Sequence, residues 1–401
     1  MVERDPGSGS PRLFVLGAGP AQLGLLEAAR ARGAWVAVAD RDPSAPGFVY
    51  ADRRCILSTE DEPSIERLAG ALHVDGIVSP GTDWPVAIAA RIAERAGLPH
   101  PISPTVAVAA TSKLRQRERL AEAGVPQPRS WTVGGADDPP DASFPCVVKA
   151  PDRQGQKGLT LVRTQGEYGP AIETARSAAR AGVVLVEELV DGPEVTVIGF
   201  SVAGAFVPLA VTDRIVAEPP AFGVALAHVF PSPHAAAAAE VAGAAAAALG
   251  IEDGPTYTQL RVDADGPKVI EVAARLGGGH DAELVEAAVG VPLNDLAIAC
   301  AIGEPVEAPR PAPRVGGAVT RFLISPPGLL EGVDVPDGLA GVERVRIYRE
   351  PGYVVGPLRR GADRAGALLA VGDSRAQAVE RAEQAAEAIR FRVADEPALA
   401  G

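Results

Sequence analysis

The stretch Lys268-Val-Ile-Glu-Val-Ala-Ala-Arg-Leu-Gly-Gly-Gly-His280 decides how the rest of the chain is interpreted. Val269 to Val272 is apolar and β-branched apart from Glu271, which is typical of a buried strand end. A carboxylate in such surroundings needs a partner, because burying an unpaired charge is costly. The three glycines that follow let the backbone come close to a ligand. The stretch therefore predicts a strand that delivers a functional carboxylate.

A second short strand precedes this one and forms a hairpin with it. Tyr257 to Val262 carries Gln259, and Asp263-Ala-Asp-Gly266 has the composition of a hairpin turn. On adjacent strands Gln259 and Glu271 can lie side by side, and Arg275 follows one loop later. Oxygen ligands, an arginine and a glycine-rich loop suit Mg²⁺ and phosphate. The alternative is an ordinary hairpin in which Glu271 pairs with Arg275.

Length and charge exclude several classes of protein. A chain of 401 residues is expected to form two or three domains. Its net charge of −13, from 38 basic and 51 acidic residues, argues against a general nucleic-acid binder or a membrane-surface protein. Residues 1–10 are polar and Gly/Ser-rich, which predicts a disordered tail and no signal peptide. Cys55, Cys146 and Cys300 have no metal-ligand spacing, as is typical of buried cysteines in a reducing cytoplasm.

The chain begins with alternating strands and helices, which predicts a parallel α/β sheet with strands at Arg12–Gly17, Trp35–Ala39 and Gly76–Ser79. The turn from Gly17 to Gly24 approximates a dinucleotide-binding fingerprint, with Asp40 about where a ribose-binding acid would lie. Gln22 replaces the third glycine and Pro20 removes an amide donor, so a turn that binds no dinucleotide is the preferred interpretation.

Asp83 lies in the loop at the carboxyl end of the third of these strands. Ligands of open α/β sheets bind at such ends, so Asp83 is a substrate candidate. The alternative is that its side chain caps the next helix.

Basic residues mark the middle of the chain. A helix is predicted over Pro104–Ala123, and it carries Lys113. It also carries a basic run that is expected to lie on a solvated face, namely Arg115, Arg117 and Arg119. A strand over Phe144–Ala150 carries Lys149 near its end, and the polar loop Gln154–Gly158 follows. A lysine facing a flexible loop can hold phosphate oxygens while the loop amides donate hydrogen bonds.

Further strands and loops follow. The predicted strand Val183–Val190 contains Glu187 and Glu188, and Glu194 comes soon after, where it could accept from ribose hydroxyls. A loop through Phe222, Gly223 and His228 is predicted before an Ala-rich helix. A Pro-rich linker to Pro313 precedes predicted strands at Gly316–Ile324, Val342–Tyr348 and Ala367–Val371 and a closing helix at Ser374–Arg390.

In this order and spacing the motifs resemble the ATP-grasp superfamily of carboxylate–amine ligases, over about Leu13 to Val393. The resemblance implies an α/β protein of ATP-grasp architecture. Its expected parts, after the tail at 1–10, are an N-terminal parallel α/β (pre-ATP-grasp) domain at 11–103, a two-part α+β nucleotide-binding domain at 104–305 with a small lid subdomain at about 125–190, and a C-terminal α+β lid at 306–401.

The resemblance also implies roles for single residues. Nucleotide binding falls to Lys113, Lys149, Gln154, Gly155, Gly158, Glu187, Glu188, Val190 and Glu194. Gln259 and Glu271 match the metal-ligand pair, and Arg275, together with Lys149, matches the catalytic residues that meet the transferred phosphate. The implied cofactors are ATP and Mg²⁺ or Mn²⁺.

Two positions depart from the family pattern. The first metal ligand is usually acidic and here is Gln259, and Ala273 stands where the family usually has Asn. Less negative charge is expected to weaken the hold on a second Mg²⁺. The glycine turn and the C-terminal unit look most like stand-alone ligases that join an amino acid to an amine, with substrate candidates Asp83, Arg214, His228, Gly278 and His280.

The implied activity is ATP-dependent amide formation through an acyl phosphate, releasing ADP and phosphate, in the cytoplasm. The partners would be a small-molecule carboxylate and an amine, with no nucleic acid and no membrane, in a homodimer as is the superfamily habit. Three alternatives stay open: carboxylation through carboxyphosphate, a nicotinamide oxidoreductase built on Gly17 to Gly24, and a nucleotide-binding regulator without catalysis, motivated by Ala273.

Overall fold

The computed structural model describes residues 9–134 and 143–394. Most of the predicted disordered tail at 1–10 lies outside these residues. The described part is a mixed α/β structure, which confirms the predicted fold class.

The N-terminal unit is a four-stranded parallel sheet. Its strand order is β3-β2-β1-β4, with strands β1 Arg12–Leu16, β2 Trp35–Asp40, β3 Arg53–Ile56 and β4 Gly76–Val78 and helices α1 Leu23–Ala31, α2 Glu62–Ala71 and α3 Trp84–Ala96. The sequence analysis missed β3, because only Cys55 among its four residues is buried and no apolar run marks it.

Two helices, α4 Pro104–Thr111 and α5 Lys113–Glu122, replace the single helix predicted over 104–123. Ser112 has extended backbone angles between them, and its hydroxyl accepts from the Arg115 amide at 3.5 Å. Ser112 therefore caps the N-terminus of α5 and separates it from α4, so the prediction of one continuous helix was wrong.

A small antiparallel sheet comes next, in the order β5-β8-β6-β7. Its elements are β5 Ser130–Val133, β6 Cys146–Lys149, β7 Thr160–Val162, helix α6 Gln165–Ala178 and β8 Val184–Glu188. The helix packs its Tyr168 and Ile172 on the sheet in a core of its own.

The largest sheet has eight strands in the order β13-β12-β9-β10-β11-β14-β18-β16. They are β9 Glu194–Val202, β10 Ala205–Val216, β11 Ala225–Phe230, β12 Gly254–Asp263, β13 Gly266–Ala273, β14 Gly317–Leu323, β16 Val342–Ile347 and β18 Gly366–Gly372. The predicted loop through His228 was wrong, because His228 lies within β11. Since β11 pairs with β14, the C-terminal segment continues the same sheet.

The remaining elements cover this sheet and end the chain. A three-stranded sheet of order β17-β15-β19 contains β15 Gly328–Asp334, β17 Val354–Val355 and β19 Arg390–Ala394. The helices are α7 Ala235–Leu249, α8 Asp281–Val289, α9 Leu293–Ile302 and α10 Arg375–Ala388. Among the described helices none alone is long and apolar enough to cross a membrane, although α8 and α9 pass that test as a pair bent by 118°.

Strand β13 is at the edge of the large sheet, and side chains of α5 satisfy its outer backbone groups. The Gln116 amide nitrogen donates to the Val272 carbonyl at 2.9 Å, and its oxygen accepts from the Val272 amide at 3.0 Å. Arg117 donates to the carbonyls of Val269 at 3.0 Å and Ile270 at 2.6 Å. An edge strand left open would leave these groups without partners, so α5 fixes the position of β13.

Gln116→Leu is therefore expected to lower the free energy of unfolding by about 2–4 kcal/mol, because it leaves buried backbone groups unpaired. Urea unfolding measures the loss. Glu118→Leu, at an exposed position of the same helix, is the matched control and should change stability by less than about 0.5 kcal/mol. Equal losses in the two variants would contradict the role given to Gln116.

Candidate functional site

One cavity of about 560 Å³ brings together residues from all parts of the chain. Of the predicted site residues, all line this cavity except Gly158 and His280. Its described lining contains ten Lys or Arg residues and five Asp or Glu residues, in a chain whose net charge is −13. The cavity therefore concentrates positive charge in an acidic protein, which favours anionic ligands.

A buried ion cluster lies at its centre. Glu187 on β8 accepts from Lys149 on β6 at 2.6 Å and from Arg117 on α5 at 2.7 Å. Burial, opposed by Glu187 but assisted by the positive charges of Arg117 and Lys113, lowers the pKa of Lys149 to about 8. Burial alone would raise the pKa of Glu187, but its two cationic partners hold that pKa below the ordinary value. The expectation that Arg117 lies on a solvated face was wrong: the guanidinium is buried between Glu187 and the edge of β13.

The hairpin places Gln259 and Glu271 as direct register partners on β12 and β13. Glu271 accepts from Lys113 at 2.6 Å, so the alternative in which it pairs with Arg275 was wrong. The Gln259 amide nitrogen donates to the Tyr257 hydroxyl at 3.3 Å. Both side chains line the cavity, so Gln259 does not point into the hairpin core.

The oxygen donors of the cavity suit one magnesium ion. The described residues contain no group of three or more His, Cys, Asp or Glu side chains that could hold a metal. Mg²⁺ in nucleotide sites commonly takes one or two protein oxygens and completes its shell with phosphates and water. One carboxylate from Glu271 and one carbonyl oxygen from Gln259 fit one such ion, provided that a nucleotide supplies the remaining oxygens.

Arg275 is fixed by the N-terminal unit. It pairs with Asp83 through two nitrogens, at 2.5 and 2.6 Å, and also donates to the Leu276 carbonyl at 2.9 Å. Asp83 precedes α3 but makes no side-chain capping bond, so the capping alternative was wrong. The nearby Gly17–Gly24 turn is closed by Gln22, whose amide nitrogen donates to the Pro80 carbonyl at 2.5 Å.

The polar loop at 154–158 connects the other units. The Gln154 side-chain oxygen accepts from the Asp83 amide at 2.6 Å. The Gln156 oxygen accepts from the Gly361 amide at 3.3 Å. One loop of the small sheet thus reaches the N-terminal unit and the C-terminal segment, as expected of a cover over the cavity.

Two substrate candidates, Arg214 on β10 and His228 on β11, lie on the cavity wall that the large sheet forms. Arg214 pairs with Glu194 and donates to the Gly223 carbonyl at 2.8 Å. His228 is fully buried beside Asp281, and burial lowers its pKa to about 4. His280 lies behind this wall, its ring nitrogens 3.2 Å from Glu283 and 2.5 Å from the Tyr348 hydroxyl. His280 is therefore not positioned to touch a ligand in this cavity directly.

Sequence reasoning missed four residues that line or support the cavity, namely Arg117, Tyr257, Tyr348 and Arg364. Tyr257 could have been found, because it precedes Gln259 by two residues and so shares its strand face. The other three carry no local signal, because only chain topology brings them to the site.

Comparison with known proteins gives two domain matches. The ATP-grasp domain matches residues 142–283, and L-amino acid ligase C-terminal domain 2 matches residues 321–394. The uncharacterized protein y4rH of Sinorhizobium fredii is 29% identical over 379 residues, which cover 88% of this chain and 76% of that protein. A formate-dependent phosphoribosylglycinamide formyltransferase of Burkholderia pseudomallei is 31% identical over 188 residues, 44% of this chain and 45% of that protein.

The fold has close counterparts among solved structures. The L-amino acid ligase from Bacillus licheniformis superposes with a TM-score of 0.82 and 22% identity, covering 96% of this chain and 99% of that one. At this identity the likeness establishes the fold.

The pKa of Lys149 predicts how phosphate binding depends on pH. Only the ammonium form holds phosphate oxygens, so ATP affinity should fall as the pH rises through about 8, approaching about tenfold per unit above that point. Calorimetric titration with ATP between pH 7 and 10 measures this dependence. Lys149→Arg keeps its charge over this range and should give a flat profile; parallel profiles in the two proteins would refute the assignment.

Proposed function

This chain belongs to the ATP-grasp family of ATP-dependent ligases, and we propose that it joins a carboxylate to an amine through an acyl phosphate. The supporting observation is that residues predicted separately for nucleotide, metal and phosphate line one cavity. Their central charges are already paired, as Lys149 with Glu187, Lys113 with Glu271 and Arg275 with Asp83. Such pairs hold charged groups in position before a substrate arrives.

ATP would lie between the two sheets. Leu189 and Val190 follow the end of β8 and line the cavity, so their backbone groups can face an adenine base. Glu194, steadied by Arg214, is placed to accept from ribose hydroxyls. Lys113, Lys149 and the amides of the loop at 154–158 would then hold the phosphates.

Glu271 and Gln259 would hold a magnesium ion, which supplies charge neutralisation at the phosphates when it is bound. Lys149 contributes a second positive charge, which it shares with Glu187. Arg275 presents a planar fork whose orientation Asp83 fixes, suited to the oxygens of a carboxylate or a transferred phosphoryl group.

The chemistry then proceeds in two steps. A carboxylate oxygen of the substrate attacks the γ-phosphorus, the bond to the β,γ-bridging oxygen breaks, and ADP leaves. The amine nitrogen attacks the acyl carbon of the resulting acyl phosphate, the carbon–oxygen bond to phosphate breaks, and the nitrogen loses a proton. Positioning and charge stabilisation account for most of the catalysis in phosphoryl transfer, so no protein nucleophile is needed.

An ADP-release screen of single carboxylates, and then of carboxylate–amine pairs, tests this function. Release that depends on both partners supports it, whereas release driven by bicarbonate would favour the carboxylating alternative. The cytoplasmic location, the homodimer and the domain division at 11–103, 104–305 and 306–401 belong to the same proposal.

Lys149→Ala and Glu271→Ala are each expected to lower turnover at least about a hundredfold, because each removes a charge partner of the transferred phosphoryl group. Steady-state ADP release measures the loss, and melting temperatures establish that the variants are folded. Arg119→Ala, at an exposed position of α5, should retain the wild-type rate. A wild-type rate in either folded test variant would remove that residue from the site.

Gln259→Glu is expected to lower the Mg²⁺ concentration for half-maximal activity by about three- to tenfold, because a carboxylate adds charge to the metal site. The maximal rate need not rise. Magnesium titrations and melting curves on this variant provide the test. A lower melting temperature with an unchanged magnesium requirement would mean that Gln259 is no metal ligand.

A further inference from the structure

Arg180 follows helix α6 and joins the small sheet to the N-terminal unit. The guanidinium carbon Cζ of Arg180 lies 4.0 Å from the centroid of the Trp84 ring, and its Nη2 donates to Glu60 at 2.7 Å. Trp84 is the first residue of α3, and Glu60 comes shortly before α2. Because Glu60 is 46% exposed, solvent weakens the ion pair, and the stacking on the indole is the larger contribution. Arg180, Trp84 and Glu60 thus form a clamp between the two units.

The backbone at Arg180 is tied to both ends of the polar loop at 154–158. The Asp152 carboxylate, just before the loop, accepts from the amides of Arg180 and of the next residue at 2.8 and 3.2 Å. At the other end, Gly158 has a φ of +69° and lies so close to α6 that an added Cβ would be 2.7 Å from the Cβ of Ala178. The loop therefore rests on the C-terminal end of α6, which the clamp holds.

Residues 153 and 154 contact charged groups of the proposed phosphate site. The Arg153 carbonyl accepts from the Lys113 ammonium at 3.0 Å. The Gln154 side-chain oxygen accepts from the Asp83 amide at 2.6 Å, and the Asp83 carboxylate pairs with Arg275. The loop thus touches one cation of the cavity directly and orients a second through a single residue.

These contacts close a ring, because Trp84 directly follows Asp83 in the chain. In order, the members of the ring are Arg180, Asp152, Arg153, Gln154, Asp83 and Trp84. When one contact of a ring is made, the next forms within the same molecule at a high effective concentration. The clamp therefore favours the hydrogen bond between Gln154 and Asp83, and the two contacts together fix the backbone that carries the partner of Arg275.

We propose that Arg180 is a positioning residue that holds the loop at 154–158 against the N-terminal unit and thereby orients Arg275 for phosphoryl transfer. Neither Arg180 nor Trp84 lines the cavity, so Arg180 acts through Asp152 and Trp84 and touches no ligand. The action on turnover rests on the proposed ligase function. The action on the loop does not, because it follows from contacts within the free protein.

Hydrogen exchange of the nucleotide-free protein tests the action on the loop. Arg180→Gln should speed exchange of the Asp83 amide, which donates to Gln154, by about three- to thirtyfold, the effect of losing a cation–π contact and its ion pair. Amides of β1 should exchange as in the wild type. Arg180→Lys keeps the charge and should retain part of the protection. Arg163→Gln, at an exposed position of the same unit, is the matched control and should leave exchange unchanged.

Steady-state ADP release tests the action on Arg275. We expect kcat/KM for ATP to fall about three- to thirtyfold in Arg180→Gln, and Trp84→Leu to add little to that loss because it removes the same contact. Trp84→Phe keeps an aromatic face and should retain part of the rate. In an Arg275→Lys background, Arg180→Gln should change kcat less than about twofold, because the residue that it orients has already lost its fork. A merely structural role would give additive losses in both combinations.

The failures of the two proposals are distinguishable. Faster exchange in Arg180→Gln, with a wild type that releases no ADP for any carboxylate–amine pair, would refute the ligase function and keep the clamp. Exchange at Asp83 that is equal in Arg180→Gln and Arg163→Gln would overturn the clamp, even if the wild type is a ligase. Faster exchange with an unchanged rate in an active ligase would overturn the action of Arg180 on Arg275.

Discussion

The buried pairing of Glu187 with Lys149 and Arg117 is the interaction on which the site depends. Each of these side chains comes from a different element: β8, β6 and α5. Isolated buried charges are costly, and removing one partner leaves the others uncompensated. The cluster can therefore exist only when the small sheet, the helix and the edge of the large sheet have their native arrangement. Folding and assembly of the proposed phosphate-binding centre are thus one event.

Arg117 connects the buried charge cluster to strand β13. The same guanidinium that pairs with Glu187 also donates to the carbonyls of β13, two and one residues before Glu271. Gln116 next to it binds the backbone of Val272 on the other side of Glu271. Helix α5 therefore fixes the strand that carries Glu271, the proposed metal ligand. The same helix also carries Lys113, the ion-pair partner of Glu271.

The distribution of charge gives this acidic protein a cavity that favours anionic ligands. Lys113, Lys149 and Arg275 each have a carboxylate partner, so the free protein tolerates their burial. In the proposed function a nucleotide would add charge to groups whose positions are already fixed, and such preorganisation lowers a reaction barrier. Arg364 makes no ion pair with a described carboxylate, and its guanidinium stacks on the Phe322 ring.

Local sequence patterns were sufficient to predict strands and turns where the residue types have strong conformational preferences. The hairpin of β12 and β13, the pairing of Gln259 with Glu271 and the strand that delivers Lys149 followed from β-branched runs, turn residues and glycines. The ATP-grasp resemblance followed from the order of those motifs. Some choices that depend on distant residues failed. Arg117 was assigned to solvent and His228 to a loop, and the alternatives left open for Asp83 and Glu271 were wrong.

Only the tertiary structure decides between these alternatives. The sequence shows that a residue is charged, but not whether its side chain is solvated or forms an ion pair. Asp83 reaches Arg275 across 192 positions, and Lys113 reaches Glu271 across 158. Arg364 enters the cavity because β11 pairs with β14 and brings the C-terminal segment to the large sheet. The sequence by itself determined the elements and the kinds of groups they carry. Tertiary packing decided which of these charged groups are paired with one another.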